Sequence, residues 1–473
     1  MSTAPAPAAG PPSVATTEPD PRRWGTLALL GTAQLMLIVD VTVVAIALPH
    51  VGADLGLSRA STTWVVSAYT LAFGGLMLLG GRVSDLLGSR PVVLTGLAVF
   101  TAASLAAGLA GSPEVLVGSR VAQGVGAALL SPAALSALLR LFDGEERHRA
   151  LGVWSALGGG GAALGVLLGG LLTAGPGWPW VFFVNVPLGL VVAVGLARRL
   201  PAGPGPHART GTTPTPARLD LLGAALVTAA TGTAIFALIG AGDHGWTGAR
   251  TLGLLAGAVV LYVLFGVRQR TARSPLMDLR LLTRRPVASG TFLVVAATAL
   301  MVAGFFLGTF YLQHHAGHGA LVTGLLFLPV ALATVAGATA GGHLLQRLGG
   351  RALPTAGFVV AAGGFAVPAL ADGSAAVVTG TTTAALGLGV LFVAASATAL
   401  GHVAPHESGI VSGIVSTFHE LGASLGAAVI SSVAAASIAG STASGFVHGF
   451  AVAATVAGVA AVVSLAAVPG RAR

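Results

Sequence analysis

"GGRVSDLLGSR" (80–90) is a basic, glycine-bounded patch in a chain of 473 residues of which only 8% are charged. A near copy, "GGHLLQRLGGR" (341–351), returns 261 positions later. Each copy sits between two long apolar runs, so the pair reads as a short polar turn repeated in two related halves. What surrounds the turn decides what kind of halves they are.

A water-soluble chain of this length needs about a quarter of its residues charged to cover its surface. This one has a third of that and is 54% hydrophobic, with 69 glycines. Lipid is the solvent that such a composition fits, and there apolar runs of roughly 20 residues cross as helices. The chain has no cysteine, which excludes disulfides, thiolate metal sites and cysteine nucleophiles. All 24 basic residues are arginine. With no lysine there is no phosphate-loop lysine and no lysine Schiff base. Direct ATP-driven work by this chain is therefore not expected. The basic balance does not point to nucleic acid, because the arginines fall in short clusters between apolar runs and line no soluble face. The arginine, alanine, glycine and proline excess suggests a GC-rich bacterial genome.

About fourteen apolar runs follow one another, from 24–48 to 446–468. Closed barrels would show alternation, which these runs lack, so helices are required to satisfy the backbone in lipid. With the N-terminus inside, nearly all loop arginines, among them Arg82, Arg90, Arg284, Arg285 and Arg351, fall on inner loops; the outer loops hold only Arg59 and Arg250. That bias predicts both termini in the cytoplasm and an even number of spans. The expected organisation is a disordered tail (1–23), a six-helix bundle (24–197), a Pro/Gly/Thr-rich linker (198–218), two additional spans (219–267), a basic loop (268–286), a second six-helix bundle (287–469) and a short tail (470–473). Leucine and methionine in the 268–286 loop suggest that it lies on the inner leaflet. No signal peptide is read at the start.

The sequence resembles the major facilitator superfamily, and within it the fourteen-span drug:proton antiporters. "VDVTVVAIALPHVGADLG" (39–56) resembles the first-helix signature of that branch through Asp40 and Pro49, and "TWVVSAYTLAFGG" (63–75) its second helix. "GGRVSDLLGSR" resembles the superfamily's cytoplasmic loop motif through Gly81, Asp85, Gly88 and Arg90, with Arg82 beside them. "GSRVAQGVGAALLSPA" (118–133) resembles the fourth-helix motif through Arg120, Gln123 and Gly124, and "WPWVFFVNVPLG" (178–189) the start of the sixth helix. The fifth-helix antiporter motif departs from its pattern, because Val166 stands where a proline is usual. Its glycines remain at Gly161, Gly165 and Gly169, a four-residue stripe suited to close helix packing. The resemblance implies two six-helix bundles plus two further spans, alternating access, proton antiport, a monomer in the bacterial plasma membrane, a small amphipathic substrate and no cofactor beyond protons.

Three charged residues within the runs carry the coupling reading. Asp40, deep in the first span, costs about 2.5–3.5 kcal/mol to insert, so it is either a structural carboxylate neutralised by a neighbour or a proton carrier. Arg120 cannot deprotonate usefully; it tunes a carboxylate or holds helices together. Glu420, beside His419 on one polar face, is a candidate proton or cation site. Tyr69, Gln123, Trp154, Phe305, Phe306, Tyr311 and His419 are candidates for the substrate pocket on aromatic or polar character. Gly81, Arg82, Asp85, Gly88 and Arg90 form a candidate gating clasp, weaker in the second copy, where Gln346 and His343 replace Asp85 and Arg82. His314, His315 and His318 are read as an exposed outer loop rather than a metal site, since no carboxylate accompanies them. No Ser-His-Asp order, HExxH pattern or dinucleotide-binding glycine motif marks an enzyme. Export of an endogenous metabolite or lipid precursor is the alternative within transport, and a sensor or scaffold the alternative outside it.

Overall fold

The computed structural model describes residues 23–200, 219–401, 403, 407–438 and 444–469. Most of the two tails and of the 198–218 linker therefore lies outside the described residues. Helix is the only regular structure among those described. In chain order the long helices are α1 (Arg23–Asp54), α2 (Arg59–Leu87), α3 (Ser89–Gly108), α4 (Pro113–Leu141) and α5 (Gly144–Ala174). Then come α6 (Trp180–Arg199, with a break at Val184), α7 (Leu221–His244) and α8 (Ala249–Thr271). α9 (Arg285–Phe310) continues into a π turn, Tyr311–His315. α10 (Ala320–Leu345), α11 (Arg347–Leu370), α12 (Ser374–Leu400), α13 (Ser408–Val433) and α14 (Ser444–Ala467) complete the set. Thirteen of these are long and apolar enough to cross a membrane; on α5, the apolar piece Gly160–Ala174 is shorter.

Local chemistry fixes the ends. Ser58 and Ser112 accept from the amides of Ser61 and Val115, satisfying open donors at the starts of α2 and α4. Successive helices run in opposite directions, so one end of the bundle carries the start of α1 and the glycine-bounded turns (the basic end), and the other carries Asp54, Arg59 and His244.

The repeated turn has one construction in both places. Gly88 (φ 86, ψ 154) and Gly349 (φ 80, ψ 172) occupy a region essentially closed to other residues. Two residues later, Arg90 donates to the carbonyl of Ala197 at the end of α6 (2.5 Å), and Arg351 to the carbonyl of Val468 just past α14 (3.1 Å). The 261-residue offset extends into the helices. Gly96 of α3 lies against Gly126 and Leu130 of α4, and Gly357 of α11 against Gly387 and Leu391 of α12. The repeat is thus a repeated packing, not only a repeated loop.

Among the contacts that join the two sets of helices, three are specific. α2 runs along α13, with Thr63 hydrogen-bonded to Ser431, Thr70 to Ser424, and Gly74 against Thr417 and Glu420. α5 meets α10 at the opposite end, where Gly170 touches Ala320 and Gly324. Gln313 in the π turn donates to the carbonyl of Ile46 in α1 (2.9 Å). The intervening pair is asymmetric: α7 packs beside α2 and α13, whereas only 17% of the apolar window of α8 is buried.

Two expectations are corrected. The apolar residues of the 268–286 loop, Leu276, Met277 and Leu281, are buried against Ala224, Val411 and Ile414 rather than spread outward. Gln269 holds this loop by accepting from the amides of Leu276 (2.8 Å) and Met277 (3.3 Å). His314 and His315 belong to the π turn that prolongs α9, not to a loop; only His318 lies beyond it.

Candidate functional site

Five helices of the first half converge on Asp40. A carboxylate at mid-span must find donors, and α1 turns it inward, where it is 1% exposed. Arg120 of α4, also 1% exposed, forms an ion pair through Nη1 with Asp40 Oδ2. The same Nη1 donates to Gln123 Oε1 (2.9 Å), one helical turn on. Gln123 Nε2 donates to Asp40 Oδ1 (3.0 Å) and to Ser104 Oγ of α3 (2.7 Å). Asn185 of α6 reaches both Asp40 Oδ1 (3.3 Å) and Ser104 Oγ (3.4 Å). Arg120 Nε is held by the Val65 carbonyl of α2 (2.9 Å), and its guanidinium stacks 4.4 Å from the Tyr69 ring centroid. The Phe182 ring centroid lies 5.9 Å from the same guanidinium.

Such a cluster has a definite chemistry. Removing one charge from a buried pair leaves the other unpaired, which costs about 3–5 kcal/mol. A neutral Asp40 would leave Arg120 in that position. Of the sequence candidates, Asp40, Arg120, Gln123 and Tyr69 are together here. Ser104 and Asn185, which complete the network, are not among them.

Glu420 stands elsewhere, half-buried on α13 where that helix meets Gly74 of α2. His419 faces the second half, its Nδ1 3.0 Å from Thr298 Oγ1 of α9 and its ring 5.6 Å from Phe392. The aromatic candidates disperse. Trp154 packs near Leu138, Phe142 and Ala150 at the basic end. Phe305 stacks on Phe327 (5.1 Å) and lines a small recess with Met301, Val330 and Phe365. Phe306 is core, stacked on Phe310 at 4.9 Å. Tyr311 is structural as well: its hydroxyl accepts from the Gly373 amide (2.9 Å). These three aromatic side chains of α9 and its π turn do not form one surface with Tyr69.

In the basic turn, Arg82 donates to the Pro275 carbonyl of the α8–α9 loop (3.4 Å), Gly81 lies near Pro132, and Asp85 is exposed. Arg90 meets the Ala197 carbonyl at the end of α6. Gly161, Gly165 and Gly169 seat α5 on α1, against Ile38, Thr42 and Ile46 respectively, so both helices present the same four-residue period. Among the described residues no group of three His, Asp or Glu side chains is placed to hold a metal ion.

Residues 30–427 match the family model of the Major Facilitator Superfamily. The chain belongs to that superfamily. Relatives of this facilitator include the puromycin resistance protein pur8 of Streptomyces alboniger, 40% identical over 84% of this chain and 79% of that protein. The cephamycin export protein CmcT of Amycolatopsis lactamdurans is 41% identical over 72% of this chain and 69% of its own length. The tetracenomycin C resistance and export protein of Streptomyces glaucescens is 35% identical, covering 69% and 60%. Among solved structures, a bacterial homologue of the lysosomal transporter Spinster superposes with a TM-score of 0.68 at 16% identity, covering 95% of this chain and 98% of that one. At that identity the likeness concerns the fold. The superfamily's members here are membrane transporters and not enzymes, and this facilitator is a multi-pass membrane transporter with antibiotic-resistance and antibiotic-export relatives.

Proposed function

We propose that this facilitator exports an amphipathic antibiotic or drug in exchange for protons, by alternating access. The observation that carries the reading is the Asp40–Arg120 pair, sealed in a network of Gln123, Asn185 and Ser104. It makes the protonation state of one carboxylate a condition of how five helices pack. The compounds for which the relatives are named supply the cargo class, and puromycin is the first to test. One proton entering through ~100 mV releases roughly 2.3 kcal/mol, enough for about a 50-fold gradient of a neutral solute.

In this reading the chain has fourteen spans, α5 being the fourteenth. Both termini are cytoplasmic, 24–197 and 287–469 form the two bundles, and 219–267 is an added pair between them. It works as a monomer in the bacterial plasma membrane with protons as its coupling ion. Arg120 tunes Asp40, and Glu420 serves as a second protonatable group at the junction of the halves. The 80–90 turn acts as a gating element of the cytoplasmic face. The α5–α10 contact at the opposite end and the hydroxyl pairs between α2 and α13 support an arrangement closed to the outside.

Two measurements test it. Cells expressing the chain should gain resistance within a panel that includes puromycin. In everted vesicles, Asp40→Asn should insert normally yet lose pH-gradient-driven accumulation of the compound that the panel identifies. Undiminished accumulation by that variant would remove Asp40 from the coupling.

A further inference from the structure

Tyr69 is the one candidate that touches the coupling cluster of the first half and also lies at the junction with the second. Its side chain is fully buried, with 0% exposure. Its ring carries the Arg120 guanidinium on one face, and on α2 it precedes Thr70, which is hydrogen-bonded to Ser424 of α13 at 2.5 Å. Its position brings it within electrostatic reach of Asp40, Glu420 and Arg120 alike. Yet its hydroxyl has no hydrogen-bond partner among the described residues.

A buried hydroxyl without a partner is costly and uncommon. Here it belongs to a helix that meets both carboxylate-bearing segments, the Asp40–Arg120 pair through the Tyr69 ring and Glu420 through Gly74. Asp40 already accepts from Arg120, Gln123 and Asn185. Glu420 is half-buried, its Cβ facing Gly74 one and a half turns along α2 from Tyr69. The charged and titratable groups on the helices packed against α2 here are Asp40 of α1 and Arg120 of α4 and, at the α2–α13 contact, Glu420, with His419 beside it turned toward Thr298. The packed neighbours α3, α6, α7 and α9 contribute the uncharged Ser104, Asn185, Thr228 and Thr298 to this region.

We propose that Tyr69 is a positioning residue whose hydroxyl links the Asp40–Arg120 pair to Glu420, donating to the Glu420 carboxylate when the halves shift from the present arrangement. The hydroxyl keeps its proton throughout; it transmits the state of one carboxylate to the other as a hydrogen bond made or lost. Tyr69 is thereby removed from the substrate-contacting residues and placed in the machinery that makes two protonatable sites act as one. The inference rests on the proton-coupled reading above and adds a residue, a partner and a direction to it.

The chain has no cysteine and only three tyrosines, which suits a test that needs no substrate. Spin labels at Ala53→Cys and Ala371→Cys, exposed positions on the two halves at the opposite end, report the separation of the halves in nanodiscs across pH. Wild type should switch between two distance populations with a defined midpoint. Tyr69→Phe, which removes only the hydroxyl, should move that midpoint upward by about one pH unit or more, the worth of a hydrogen bond to a charged group. In a Glu420→Gln background the same substitution should move it hardly at all, since the two changes share one interaction. A midpoint unmoved by Tyr69→Phe, or moved equally in both backgrounds, overturns the link while leaving proton coupling intact. A wild type that does not respond to pH, or an Asp40→Asn variant with the wild-type midpoint, overturns the coupling reading itself. A second readout keeps the native packing: with 3-fluorotyrosine in place of tyrosine, the ¹⁹F resonance of Tyr69, assigned by Tyr262→Phe and Tyr311→Phe, should titrate with the distance midpoint. A resonance that stays fixed across the transition also overturns the link.

Discussion

Asp40 and Arg120 show how a charge in lipid is made tolerable. Each end of the pair has more than one partner, so neither depends on the ion pair alone: Asp40 accepts from Gln123 and Asn185, and Arg120 donates to Gln123 and to the Val65 carbonyl. Replacing Arg120 by methionine should therefore be worse for stability than removing both charges. Arg120→Met leaves Asp40 buried with amide donors only, a loss on the order of 3–5 kcal/mol, whereas Asp40→Leu/Arg120→Met replaces the pair by apolar volume and should recover most of it. Thermal melts of the detergent-solubilised variants measure the order; neither variant should drive efflux. The pair was legible in the sequence because a charge inside an apolar run stands out. Its supports were not. Serine and asparagine are cheap enough in a helix to need no explanation, and no spacing along the chain ties Ser104 and Asn185 to Asp40 across three helices. Aromatic character misled for a related reason: Phe306 and Tyr311 have the composition of a pocket and the packing of a core.

At the scale of elements, the glycine-bounded turns and the α7–α8 hairpin are the pieces whose chemistry is most specific. Gly88 and Gly349 hold equivalent positive-φ positions, and each sets up the arginine that closes on the last helix of its half. Gly88→Ala and Gly349→Ala should each cost about 1–3 kcal/mol from backbone strain alone, readable as matched losses in thermal midpoint. The hairpin is pinned by Asp220, which caps α7 through the Gly223 amide (3.0 Å) and accepts from Arg268 (2.9 Å) and Gln269 (2.7 Å) of α8. Burial pushes the Asp220 carboxyl up, but the hydrogen bonds from Arg268, Gly223 and Gln269 outweigh burial and hold it below its ordinary value. A lowered folded-state pKa contributes stability that is present above the unfolded value of about 3.9 and is lost as pH falls through the folded one. Asp220→Asn should therefore destabilise near neutral pH and converge with wild type under strong acid, a difference that melts across pH resolve. The helices and the repeated turn could be read from apolar runs and the 261-residue offset. The burial of Leu276 and Met277 could not, because a loop rich in arginine looks the same whether its apolar residues meet lipid or a hydrophobic recess between α7 and α13.

For the whole molecule, α7 is part of how α2 and α13 are held together. Arg59 at the start of α2, with only 8% of its side chain exposed, donates to Asp243 (2.6 Å) and the Ile239 carbonyl (2.9 Å) of α7. It also donates to Ser431 Oγ of α13 at 3.2 Å. One guanidinium thus joins α2, α7 and α13 at the end opposite the basic turns. Ser431 in turn bonds Thr63 at 2.5 Å, continuing the contact down the α2–α13 seam. In sequence Arg59 is merely one of two arginines on the wrong side of the charge bias, and nothing local marks it as a clasp. Arg59→Gln keeps a donor but loses the charge and most of the reach, leaving the Ile239 carbonyl and Ser431 to find other partners. Losing charge-assisted bonds of this kind shifts a two-state equilibrium by roughly tenfold. The cysteine-free background makes that visible: Thr63→Cys, placed at a fully buried position of the seam, should react with a membrane-impermeant maleimide roughly ten times faster when Arg59→Gln is added. Asp243→Asn should do less, because the Asp243 side chain is 53% exposed and its pairing is screened by water. An equal effect of the two variants would place the hold in the ion pair; the expected inequality places it in the bonds to Ile239 and Ser431, where the added helix and the second half are tied to α2.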